Sequence, residues 1–194
     1  MLQRVSLGFF FAAALIPSVV VKAQSTPNIA AVFSARKVSA GTYTNDFFGL
    51  TLTPAKAHFT QGGFVSAQAH RARLVDAQSD AKDETRYEIA VLADARSIYP
   101  PTLTAEQYVR SVRHQMESQG AQTIQQEQPV KISGVSFVGA IVETAAQNGQ
   151  AAHYLGIYST LLNGYVLSVQ PEATSEDNVK KIILTMVRFK LSTH

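Results

Sequence analysis

The side chains best suited to acid–base or metal chemistry in this sequence are five histidines, His58, His70, His114, His153 and His194. No two of them stand at a zinc-ligand spacing. His114 and Glu117 lie one helical turn apart and could form half a metal site. Both fall off the Val109, Val112, Met116 stripe, which predicts a solvated helix surface instead. Gly134-Val135-Ser136-Phe137-Val138-Gly139 approaches the Gly-x-Ser-x-Gly pattern that exposes a nucleophilic serine on a sharp strand-to-helix turn. Its second glycine comes one residue late, and Ser136 sits inside a β-branched and aromatic run. The pattern therefore predicts a strand whose glycines permit a bulge or close packing.

Glu127 and Glu143 are candidates for paired acid–base work, but nothing in the sequence places them together. The cations Arg71, Arg73, Arg110, Arg113, Lys180 and Lys181 are spread over three segments and balanced by nearby acids. A nucleic-acid face wants a net basic surface with interleaved stacking aromatics. Neither that nor a phosphate-cradling glycine loop is present. The expectation is no catalytic, cofactor or metal site and no nucleic-acid partner. Tyr154, Tyr158 and Tyr165 share the last hairpin, where they either anchor an interaction patch or edge the core.

Composition narrows the setting. Residues 1–23 open with Arg4, run through apolar residues 5–21 and end on Val21-Lys22-Ala23, a small-x-small pattern for cleavage between Ala23 and Gln24. The alternative is an uncleaved anchor, although Pro17 interrupts the run and a span wants ~20 apolar residues. No cysteine follows, which excludes a lipid anchor, so the released chain is expected to be secreted or periplasmic with no membrane span. Removing Arg4 and Lys22 from 17 basic residues leaves 15 against 14 acids, a net charge of +1. Zero cysteines also exclude disulfides, thiol catalysis and zinc–cysteine sites.

These residues have to be positioned by a chain of strands and helices. Residues 24–42 read as a poorly ordered arm, with weak pairing at residues 30–33. Residues 64–77 carry Val65, Ala69 and Ala72 at helical spacing, and a helix is the first reading; the alternation of Arg71, Arg73 and Val75 makes a hairpin arm the alternative. Residues 87–95 alternate as a strand. Thr104 and Gln107 form a capping box opening a helix with Tyr108, Val109, Val112 and Met116 inward and Arg110, Arg113 and Glu117 outward; Gly120 stops it. Residues 123–129, 130–144, 152–160 and 164–170 read as strands in series, with Asn148-Gly149 and Asn163-Gly164 as hairpin turns. Thr174-Ser175-Glu176-Asp177 caps a last helix facing Val179, Ile182, Ile183 and Met186 to the sheet.

The most distinctive stretch is residues 43–54, Tyr-Thr-Asn-Asp-Phe-Phe-Gly-Leu-Thr-Leu-Thr-Pro. Asn45-Asp46 form a turn beside Gly49, Phe48, Leu50 and Leu52 make the buried side of a strand, and Pro54 closes it. Tyr43, Asn45, Phe48, Gly49 and Pro54 together resemble the opening of the PsbP-like fold, shared by exported bacterial proteins. Members of that family usually continue to a tryptophan. Here Ala55-Lys56-Ala57-His58-Phe59 follows, and the chain has no tryptophan.

The resemblance covers residues 43–191 and implies one α+β domain, an α/β/α sandwich. The order of segments agrees, giving an antiparallel sheet of about five to six strands with helices packed on it. It also implies a non-enzymatic exported binding or assembly module whose partner is another protein or an envelope component. The alternative is a small secreted hydrolase or ligand-binding protein with a pocket beside residues 64–77, His58 or His70 at its mouth. Whether Phe59 or His58 takes the missing tryptophan's place decides between a plugged core and an open pocket.

Overall fold

Residues 29–63, 70–81, 85–145 and 152–190 are described in a computed structural model. Their elements run α1 (Ile29–Ser34), β1 (Arg36–Ser39), β2 (Thr42–Asn45), β3 (Leu50–Leu52), β4 (Ala57–Gln61), β5 (Arg71–Ser79) and β6 (Tyr87–Ala95). A 3-10 turn at Arg96–Ile98 leads to α2 (Ala105–Ser118), followed by β7 (Gln122–Ile132), β8 (Val135–Thr144), β9 (His153–Leu162), β10 (Tyr165–Ala173), α3 (Glu176–Met186) and β11 (Val187–Phe189). The strands form two antiparallel sheets, one ordered β1-β2-β3-β11 and one ordered β4-β5-β6-β10-β9-β8-β7. The fold is α+β. Among the described residues no helix is long and apolar enough to cross a membrane.

Local chemistry accounts for most boundaries. Thr104 accepts from the Gln107 N–H at 3.1 Å while the Gln107 amide accepts from the Thr104 N–H at 2.9 Å, so α2 starts on the capping box its sequence announces. Ser175 caps α3 by accepting from the Asn178 N–H at 3.2 Å. Asn163 and Gly164, at φ 51° and 81°, form a two-residue turn whose twist suits the β9–β10 hairpin. Asn148-Gly149 lies outside the described residues, between strands whose near ends pair Thr144 with His153.

The larger sheet has seven strands instead of five or six because residues 57–61 and 71–79 both join it, while the strand expected from Phe48 lies in the small sheet. The break expected between residues 129 and 130 falls at Ser133-Gly134, where φ is 49° and 86°. Residues 71–79 are a strand, not the helix their Val65, Ala69, Ala72 spacing predicts. A register shift between Arg73 and Val75 buries Leu74 and Val75 in succession, so burial runs Ala72, Leu74, then Val75, Ala77, Ser79. That bulge breaks the period of two and leaves Ala72 and Val75, and Leu74 and Ala77, three apart, while the Val65, Ala69, Ala72 spacing lies ahead of it in the sequence. Residues 64–69 lie outside the described part.

From Ile29 onward, the segment expected as a loose arm is built into the domain, and residues 29–34 form a helix instead of a weak strand. Val32 is fully buried, and its carbonyl accepts from Asn45 Nδ2 at 3.1 Å. Asn45 Nδ2 also donates to the Tyr43 hydroxyl at 3.3 Å. Arg36 donates to the carbonyls of Phe33, Gly62 and Leu74 at 3.0, 3.0 and 3.2 Å. Burial pushes the Tyr43 phenol up to about 12.

The core has two parts. Tyr108, Val109, Val112 and Met116 of α2 pack against Ala140, Val142, Ile157 and Val166 on one face of the large sheet. Each fully buried apolar side chain contributes about 1.5–3 kcal/mol, against tenths per residue from helix propensity, so packing holds α2 in place. On the opposite face, Val179, Ile182 and Ile183 of α3 join Tyr43, Leu50, Leu52 and Phe189 of the small sheet over Ile89, Val91, Ile141 and Leu167.

Candidate functional site

Asp94 lies on the α2 side of β6, paired in register with Arg71 on β5, and is 1% exposed. Arg71 grips it bidentately, Nε to Oδ1 at 2.7 Å and Nη2 to Oδ2 at 2.6 Å. Tyr99, just after the 3-10 turn, and Tyr108, in the first turn of α2, both donate to Oδ2, at 2.7 and 2.9 Å. Their rings meet edge-on with centroids 5.8 Å apart. Burial and then the Asp94 charge push both phenols well above the usual tyrosine range. Burial opposes the charged Arg71 guanidinium, but its hydrogen bonds and attraction to Asp94 outweigh this and hold it more firmly protonated than usual.

Three of the four hydrogen bonds converge on Oδ2 and one reaches Oδ1. All four donors belong to this chain, and the carboxylate is not presented to solvent. The cluster instead fastens the start of α2 and the segment before it to two strands.

Further along α2 a second cluster does the same toward β7. Arg113 donates from Nε to Glu127 at 2.7 Å and from Nη1 to Glu117 at 2.7 Å and Thr123 at 3.2 Å. Its side chain is 8% exposed and that of Glu127 6%, so Arg113 is not on the outer face where helical periodicity put it. Burial alone would raise the Glu127 carboxyl, but the Arg113 hydrogen bond and its own backbone N–H hold it below the usual range. The Thr123 hydroxyl, with His114 and Arg113, lowers Glu117. His114 Nδ1 stays at the surface, 2.8 Å from Glu117.

The remaining candidates are scattered. His58 is 57% exposed and 3.0 Å from Asp80, while His70 is half-buried and its carbonyl accepts from the Ala95 N–H at 2.6 Å. His153 is half-buried and accepts from Thr144 through its carbonyl. Phe59, not His58, turns inward, its ring 6.4 Å from that of Tyr43. A pocket between the sheet and residues 64–77 is not formed by residues 71–77, because they are part of the sheet. Among the described residues no three His, Asp or Glu side chains are grouped to hold a metal ion. Ala23, Gln24 and His194 lie outside the described residues.

Glu127 and Glu143 do not meet, since Glu127 joins α2 whereas Glu143 pairs with Tyr154 and raises its phenol through a hydrogen bond. Tyr154, Tyr158 and Tyr165 do not make one exposed patch. Tyr154 is half-buried, Tyr158 is 3% exposed, and Tyr165 is 1% exposed against Phe47 and Phe48. Ser136 is an exposed strand residue. Gly139 and Gly156 instead make room for the Tyr158 ring; a Cβ on either would stand 2.5 Å from it.

The small sheet presents its outer face to solvent. Lys37, Ser39, Thr42 and Thr44 line a shallow concavity of about 200 Å³ on β1 and β2. The β1, β2, β3 and β11 strands carry Arg36, Lys37 and Arg188 and no Asp or Glu.

No family model and no curated protein matches the sequence. Among solved structures the chain is similar to cyanobacterial PsbP (CyanoP) from Synechocystis sp. PCC 6803. That solution structure is 12% identical, with a TM-score of 0.49, over 79% of this chain and 95% of that one.

Sequence reasoning missed Asp94, Arg71, Tyr99 and Tyr108 as a group. One signal was present: Asp94 is the only acid between Ile89 and Ala95 in an otherwise apolar strand, and a buried carboxylate requires a partner.

Proposed function

We propose that this chain is an exported, non-enzymatic binding or assembly module of PsbP-like kind, released after Ala23 and working through the outer face of its small sheet. The observation that carries the reading is the small sheet itself. Tyr43, Asn45, Leu50 and Leu52 are buried on its inner side, while Lys37, Ser39, Thr42, Thr44, Thr51 and Arg188 alternate outward. A rigid scaffold that holds such a face in fixed register suits recognition. The resemblance of residues 43–54 to PsbP-like openings supports the same reading, as does the use of the polar clusters as fasteners for α2.

Two experiments test it. Residues 1–28 fused to a reporter that is active only outside the cytoplasm should confer export, and replacing the apolar run should abolish it. The released protein, used as bait on native envelope extract, should enrich a partner above a surface-scrambled control; failure to do so contradicts the proposal.

A further inference from the structure

Resting on the binding-module reading, we infer that the outer face of the four-stranded sheet binds an acidic polysaccharide, with carboxylate groups held by Lys37 and Arg188 and sugar hydroxyls by the threonines between them. The register supplies the geometry: Lys37 pairs with Thr44, Thr44 with Thr51, and Thr51 with Arg188. This row crosses all four strands with a cation at each end and two hydroxyls between, a span of about 14 Å at the usual strand spacing. Ser39 and Thr42 form the start of a second row beside it. Lys37, Ser39, Thr42 and Thr44 also line the concavity on this face, which offers one ammonium and three hydroxyls to an oxyanion.

Charge complementarity selects an anionic occupant. Among the described residues, no carboxylate pairs with Lys37, Arg188 or the following Lys190. Asp46, in the turn after β2, is the nearest acid in sequence to these first strands. Arg188 uses Nη1 on the Leu184 and Val187 carbonyls, which orients the guanidinium at the surface without neutralising it.

The outward strand residues choose among polyanions. They include no aromatic ring on which a base could stack, which disfavours single-stranded nucleic acid. They include no apolar side chain to enter a lipid interface, which disfavours a membrane; Val38 pairs with Tyr43 on the other side. Hydroxyls and separated cations on a fixed grid match a polymer that itself alternates hydroxyls and carboxylates.

The test uses the released protein on immobilised polygalacturonate, with neutral dextran and phosphatidylglycerol vesicles as parallel arms. Polygalacturonate should retain the protein at low ionic strength and release it as salt rises, while dextran and vesicles should not retain it. Lys37→Gln with Arg188→Gln should weaken retention roughly tenfold, and Lys56→Gln with Lys131→Gln, which removes the same charge elsewhere, should not. All four side chains are exposed. Arg188→Gln loses the bonds to the Leu184 and Val187 carbonyls and should lower the unfolding temperature slightly, and native circular dichroism at the binding temperature separates a binding loss from misfolding. No retention on polygalacturonate, equal weakening by the two double variants, or retention by vesicles alone would overturn the inference. An envelope protein captured by wild type and lost by the Lys37, Arg188 variant, with no retention of either on polygalacturonate, would sink the polysaccharide while leaving the binding-module reading intact.

Discussion

The Tyr108 hydroxyl on α2 donates to Asp94 on β6 at 2.9 Å, at a carboxylate that Arg71 and Tyr99 already hold. This bond ties the helix that covers one face of the large sheet to β6, the neighbour of its central strand β10. Losing Tyr108's hydroxyl removes one bond of four, whereas losing Asp94 removes the buried carboxylate that Arg71, Tyr99 and Tyr108 all bond. Tyr108→Phe should therefore cost about 1–2 kcal/mol, and Asp94→Ala about 3–5 kcal/mol. Urea unfolding checks both. A double cycle with Arg71→Ala should show strong coupling, because the two residues share two hydrogen bonds in one buried network.

Tyr158 fits its slot only because Gly139 on β8 and Gly156 on its own strand lack side chains. Gly139→Ala should destabilise by about 1–3 kcal/mol, since the new methyl meets the ring in a packed layer under α3. In a Tyr158→Ala background the same change should cost much less. Thermal unfolding of the four proteins decides it; equal costs in both backgrounds would show that the ring is not what Gly139 accommodates.

All seven tyrosines have phenols raised above the usual value of 10. Burial brings Tyr43 and Tyr158 to about 12. A folded-state pKa above the unfolded one gives stability that is complete below pH 10 and is lost as pH rises through 10 toward 12. Phenol ionisation should thus arrive together with unfolding. With no tryptophan in the chain, absorbance at ~295 nm reports tyrosinate cleanly, and it should rise steeply in step with the loss of far-ultraviolet circular dichroism. A gradual rise centred on pH 10 in folded protein would contradict these burials.

At the acid end the sign reverses for Glu127, whose carboxyl is held below 4.5 against its burial by Arg113. Its contribution is complete above pH 4.5 and is lost as pH falls through the lower folded value. Glu127→Gln should lower stability at neutral pH and flatten the acid limb of the stability curve. Glu88 behaves oppositely, raised by burial, Glu172 and Asp76. Glu88→Gln should raise stability by about 0.5 kcal/mol at pH 7 and have no such effect below pH 4.

Much of this fold was legible where local chemistry and long-range packing agree. The Thr104 capping box, the Asn163-Gly164 turn, the alternation of residues 87–95 and the buried Phe48, Leu50 and Leu52 all follow from residue types within a few positions of one another. β5 was legible only as the alternative reading. The alternation of Arg71, Arg73 and Val75 suggests a hairpin arm, but the bulge buries Leu74 and Val75 in succession and ends it, and the helical spacing of Val65, Ala69 and Ala72 points the other way. Arg113 was misread for a related reason: helical periodicity sorts charge outward, and only Glu127, fourteen residues away on β7, reveals that this cation is paired inside. Asn45, read as a turn former, turns out to reach the Val32 carbonyl of α1. The Asp94 cluster draws on four elements of structure, so no single window contains it.

The central claim is that the chain binds through the outer face of its small sheet, and capture from native envelope extract tests it most directly. Wild-type protein should enrich a partner, and the Lys37→Glu, Arg188→Glu variant should lose it while keeping native circular dichroism at the capture temperature. Enrichment unchanged by that reversal of charge, or none above a surface-scrambled control, would contradict the account.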